Sequence, residues 1–153
     1  MNRPGIVTYR HQAGGFALPL PEEWERLEGP APGVSLVALE PEQGGRFRAN
    51  VVVTIEELDE GLDLEGWQAS TEDHLPGPLL DYLLLDRERI ELNGRPAIRR
   101  LAHHARPESG SITMEQWAMV VGRRGVTLTA SSSTLEYDTL ATMFGGIAGE
   151  FEP

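Results

Sequence analysis

Stretches of alternating apolar and polar residues run along most of the chain, separated by turns rich in proline and glycine. Residues 16–21 (Phe-Ala-Leu-Pro-Leu-Pro) read as a short strand ended by prolines, which cannot donate ladder hydrogen bonds. Trp24 follows in an acidic turn. Residues 34–40 form a second apolar strand and 47–56 a third, with Phe47, Ala49, Val51, Val53 and Ile55 on one side. The spacing then changes from two to three and four. Asp63 can cap a helix that aligns Leu64, Trp67, Thr71 and Leu75, and Pro76-Gly77-Pro78 stops it.

The clearest local signal comes next. Residues 82–92 and 95–105 alternate on either side of Asn93-Gly94, the pair favoured in a type I′ hairpin turn. A second hairpin joins 111–121 to 126–132 across Gly122-Arg123-Arg124-Gly125. The last element is a helix. Ser133 and Glu136 have capping-box spacing, and Tyr137, Leu140, Ala141, Phe144, Ile147, Ala148 and Phe151 follow on one stripe, weakened by Gly145, Gly146 and Gly149. Strands, helix, strands and helix in this order predict an α+β domain: an antiparallel meander sheet of about six to seven strands packed by two main helices. No linker or repeat divides residues 1–153, so a single domain is expected.

Hairpin register sorts the side chains further. With Arg123-Arg124 as a two-residue turn, Val121 faces Val126, Met119 faces Leu128 and Trp117 faces Ala130, all on one bulky side suited to helix packing. The other side collects Gln116, Thr127, Thr129 and Ser131, a flat row of small and polar groups. It is either the wet side of the sheet or a surface for a peptide or helix. The Asn93-Gly94 turn sets Glu88 opposite Arg99 and Arg87 opposite Arg100. The like-charged second pair calls for an acid between the two arginines, either a protein carboxylate or an anionic ligand.

Composition removes whole classes of chemistry. All 13 basic residues are arginine and no cysteine occurs, so lysine Schiff bases, phosphate-loop lysines, thiol nucleophiles and cysteine-bound metals are excluded. The net charge of −11, with acids concentrated at 22–28 and 56–65, disfavours nucleic acid and anionic membranes as partners. His103 and His104 are adjacent in a strand and point to opposite faces, and His11 and His74 have no metal-ligand spacing with them. Ser109 lacks the glycine-flanked elbow of a serine hydrolase. No catalytic residue, metal or cofactor is nominated. The first seven residues lack the apolar run of a secretory signal and no stretch is long enough to span a bilayer, so a cytoplasmic protein is expected, without membrane insertion.

The order of elements resembles the Mog/PsbP-like superfamily. The likeness is carried by residues 15–24 (Gly-Phe-Ala-Leu-Pro-Leu-Pro-Glu-Glu-Trp), Asn50-Val51-Val52-Val53-Thr54, Leu92-Asn93-Gly94-Arg95-Pro96-Ala97, residues 115–121, Thr127-Leu128-Thr129-Ala130 and the closing helix through Phe144 and Phe151. The resemblance implies an antiparallel sheet sandwiched by helices. It also implies an adaptor role, its members including a Ran-release factor, a photosystem subunit, LpqN-type lipoproteins and Eag chaperones of secreted toxins. With no cysteine to carry a lipid and a lysine-free composition suggesting a GC-rich bacterium, the cytoplasmic chaperone is the role left standing. The expectation is therefore a non-catalytic domain that binds another protein or peptide through Gln116, Thr127, Thr129 and Ser131. A small-ligand protein using Arg87 or Arg100 against an anionic or lipid-like molecule is the alternative. Homodimerisation through a strand edge or the polar face stays open.

Overall fold

The computed structural model describes residues 5–153; Met1 to Pro4, on which part of the N-terminal reading rests, lie outside the described residues. The elements are β1 (Ile6–His11), β2 (Phe16–Pro21), β3 (Glu25–Ala31), β4 (Val34–Leu39), β5 (Asn50–Glu57), α1 (Leu64–His74), β6 (Leu80–Leu92), β7 (Arg95–Arg106), β8 (Gly110–Val121), β9 (Arg124–Ser133) and α2 (Tyr137–Gly149). Strands β3 to β9 make one seven-stranded antiparallel sheet in the order β3-β4-β5-β9-β8-β7-β6. Strands β1 and β2 form a separate ribbon.

The principal core lies on the α2 side of the sheet. Trp117, Met119, Val126, Leu128 and Ala130 from the central hairpin meet Phe144, Ile147 and Ala148 of α2 and the β2 side chains Phe16, Leu18 and Leu20. Backbone bonds between Ala17 and Glu152 in both directions, each 2.8 Å, tie the C-terminal tail to the ribbon. The opposite face carries α1. A smaller cluster of Leu58, Leu64, Trp67, Ile98 and Ala118 holds it there.

Several expectations are corrected by this arrangement. The two helices flank the sheet on opposite sides, as the resemblance implies, but only α2 takes the bulky face of the central hairpin; α1 has its own apolar stripe and uses the small residues Ala118 and Gly125 as its seat. In the second hairpin the turn is Gly122-Arg123, with Val121 opposite Arg124 and Met119 opposite Val126. Gly122 adopts φ +64°, the positive φ that the first position of such a turn demands, and arginine would pay for it in steric strain. The shift is by two residues, so every side chain keeps its predicted face.

Strands β1 and β3 were not anticipated; β3 is broken by Gly29-Pro30 and reads as a loop. Residues 47–49 precede β5 rather than starting it, and the Arg106 guanidinium lies 5.8 Å over the Phe47 ring. Asp63 does cap α1, accepting from the Gly66 N–H at 2.8 Å. Ser133 makes no side-chain cap; a short 3-10 turn at Thr134–Glu136 leads into α2 instead.

Gly125 explains how α1 sits so close. A Cβ at that position would lie 2.5 Å from Cζ2 of Trp67, whose ring fills the space. Trp67 also donates its indole N–H to Glu56 Oε1 at 2.9 Å. Gly125→Ala should therefore destabilise the fold by about 1–3 kcal/mol, as overpacking does. Urea unfolding followed by tryptophan fluorescence measures it, and an unchanged midpoint would show that Trp67 does not rest there.

Candidate interaction face

Each strand presents alternate residues to the α1 side, and the pairings align them into continuous rows. One row crosses the whole sheet: Leu27, Val37, Val52, Thr129, Gln116, Arg100 and Arg87 are opposite one another in turn. A neighbouring row runs through Leu39, Asn50, Ser131, Met114, Ala102 and Leu84. Gln116, Thr127, Thr129 and Ser131 thus share this face, away from Trp117 and Leu128. The Gln116 side-chain amide donates to Thr129 Oγ1 at 3.1 Å.

Helix α1 covers one half only, packing chiefly against β7 and β8. On the other half Thr127, Thr129, Val52, Thr54, Val37 and Leu39 are half-buried, and Leu27 is 41% exposed. Ser131 is the most enclosed of the four predicted polar residues, at 9% exposure. The sequence reading recovered the hydroxyl row but missed its apolar neighbours. In β4 the run Val-Ser-Leu-Val-Ala-Leu is apolar at both parities, a pattern that fits a strand covered on both faces as readily as one covered on one.

Under α1 the chemistry is ionic. Glu72, in the last turn of α1, accepts from Arg87 Nε and, at 3.2 Å, from Arg100 Nη1. Arg87 and Arg89 also bond Glu65 at 3.1 Å each. The protein itself thus supplies an acid between the facing arginines, Glu72, while Glu65 and Glu72 together are shared by Arg87, Arg89 and Arg100, and Arg100 Nε has no partner. Arg100 is 1% exposed. Burial holds its guanidinium below the usual range, with Glu72 and Tyr82 opposing that trend. Gln68, one turn before Glu72, is fully buried and its amide makes no bond, a polar residue that the predicted stripe of Leu64, Trp67, Thr71 and Leu75 did not include.

The α2 side has an acid that is buried. Glu115 accepts from Arg99 Nε at 2.6 Å and from the Tyr137 hydroxyl at 2.8 Å. Burial, then this bond to Glu115, pushes the Tyr137 phenol up to about 12. Arg99 also meets Asp86 and Glu88 at 3.3 Å, which includes the predicted Glu88 pair. Every member of this network is satisfied by another, so it ties β6, β7, β8 and α2 together. His11 stacks on Phe16 with centroids 4.7 Å apart and accepts from the Gly14 N–H at 2.7 Å. Among the described residues no group of three acids and histidines is placed to hold a metal. A cavity of about 520 Å³ opens between the ribbon, the Asn93-Gly94 turn and the C-terminal tail, lined by Leu92, Arg95, Met119 and Phe151 among others. Arg87 and Arg100 do not line it.

No protein-family model and no curated protein matches this sequence. Its fold matches solved structures along almost its full length. The cyanobacterial PsbP of Synechocystis superposes with a TM-score of 0.74 at 16% identity, covering 99% of this chain and 94% of that one. This chain has the Mog/PsbP-like fold. LpqN of Mycobacterium tuberculosis, involved in cell envelope biogenesis, gives 0.73 at 16% identity over 97% of this chain and 91% of its own. The Ran-binding protein Mog1p of Saccharomyces cerevisiae gives 0.64 at 12% identity over 96% and 94%.

Glu72→Ala would leave Arg100 buried and facing Arg87 with no carboxylate between them. A loss of about 3 kcal/mol is expected. Chemical denaturation measures it, and added sulfate should raise the melting temperature of the variant more than that of the parent. Equal stability of the two proteins would mean that the ion pairs contribute nothing net.

Proposed function

We propose that this chain is a non-catalytic protein-binding domain, working in the cytoplasm as an adaptor or as a chaperone for a secreted effector. The observation that carries the reading is the uncovered half of the α1 face. There, half-buried hydroxyls of Thr127 and Thr129 lie beside Val37, Val52 and the exposed Leu27. A mixed apolar and hydroxyl surface of this kind suits close approach by another polypeptide, with apolar area supplying affinity and the hydroxyls supplying orientation. Gln116 and Ser131 border it. That Mog1p is a Ran-binding protein supports protein recognition as a use of this fold, without naming a partner here.

A second reading, small-ligand binding, is favoured by the cavity beside Arg95, whose volume of about 520 Å³ falls within the range of small-molecule sites. Metabolite-dependent gains in melting temperature would support it by mass action.

The test of the first reading is capture from lysate of the native cell with immobilised protein. The parent chain and Leu135→Arg, at a 95% exposed position outside this face, should retain one enriched partner. Thr129→Arg should lose it while melting at the parent's temperature. No enriched protein, or capture indifferent to Thr129→Arg, would refute the assignment of this face.

A further inference from the structure

The outer side of β6 pairs with no strand among the described residues, and this edge carries the densest exposed apolar run: Leu80, Leu83, Leu84 and Leu85 at 54, 57, 42 and 45% exposure. Folded proteins usually blunt such an edge, because its free N–H and C=O groups recruit other strands. The far edge of this sheet is blunted. Strand β3 has seven residues, contains Gly29 and Pro30, and loses register between Glu28 and Ala31. Strand β6 runs for thirteen residues with neither glycine nor proline.

Two irregularities shape the leucine segment. Pairing with β7 jumps from Leu80↔Ala105 to Leu83↔His103, and again from Leu84↔Ala102 to Asp86↔Leu101, so Leu85 has no partner on β7. An extra residue of this kind breaks alternation and re-aims the side chains around it, here turning consecutive leucines outward. At the first jump Asp81 holds φ +52°, a conformation that costs a non-glycine residue about 1 kcal/mol.

We propose that the β6 edge is a docking strand for an extended segment of another protein, apolar in its centre and basic at its ends, which adds to the sheet beside Leu83, Leu84 and Leu85. Charge selects this occupant. Arg87 and Arg89 are already paired with Glu65 and Glu72, and Asp86 and Glu88 share Arg99. Asp81 and Glu91 bracket the leucines, are exposed, and make no ion pair among the described residues. Cationic ends on the incoming segment would answer them, whereas a second copy of this chain brings the same two unpaired acids. The surface lies at the opposite sheet edge from Leu27, and the inference is independent of the role given to Thr129.

The probe is a fluorescent peptide of alternating valine and threonine with two arginines at each end, titrated into the full chain and read by anisotropy. Binding is expected. It should weaken by about tenfold or more when alternate peptide amides are N-methylated, when glutamates replace the arginines, and in the double variant Leu84→Ser, Leu85→Ser. That variant alters exposed positions only and should melt like the parent. Absence of binding, undiminished binding of the N-methylated peptide, or a dimer in sedimentation that the double variant abolishes would each overturn the proposal.

Discussion

Period-two alternation in the central β8–β9 hairpin is the constraint on which the rest of the molecule depends. It sends Trp117, Met119 and Leu128 into the core beneath α2 and leaves Gln116, Thr127 and Thr129 on the far side. A slip of one residue would exchange the two sets, placing threonines against Phe144 and a tryptophan in the open face. The same parity passes outward through β5 and β7, so one hairpin fixes the character of both sides of a seven-stranded sheet.

The α1 face is then divided by what the helix can reach. Trp67 on Gly125 and the Glu72 bridge to Arg87 and Arg100 hold α1 over β7 and β8. An apolar anchor at one end and charge at the other locate the helix, but its eleven residues span only about 16 Å at 1.5 Å per residue. Strands spaced about 4.8 Å apart make the sheet far wider than that helix. Coverage of one half and exposure of the other follow from length and anchoring alone, and the half left open is the one proposed to receive a partner.

Much of this was legible in the sequence. Asn93-Gly94 fixed its hairpin to the residue, and with it the pairing of Arg87 with Arg100. Alternation in β8 and β9 gave the correct faces even though the turn lay one position earlier than read, since an even register shift conserves parity. What stayed hidden was of two kinds. Strand β3 carries glutamates, a glycine and a proline, and becomes a strand only because β4 offers a ladder to pair with, which is tertiary context overriding propensity. The side taken by α1 depends on Ala118 and Gly125 leaving room for Trp67, a fit between residues more than fifty positions apart that no local pattern reports. Likewise, the acid between Arg87 and Arg100 was demanded by the register, but its identity as Glu72 required the helix to be placed.

The most direct measurement exploits the absence of cysteine from the chain. Single cysteines at 127, 128, 129 and 130 would be reacted with a thiol reagent under native conditions. Cysteines replacing Thr127 and Thr129 should react promptly, while those replacing Leu128 and Ala130 react only as fast as the protein opens. Uniform protection at all four positions would mean the α1 face is covered there, and prompt reaction at 128 and 130 would mean the faces are reversed.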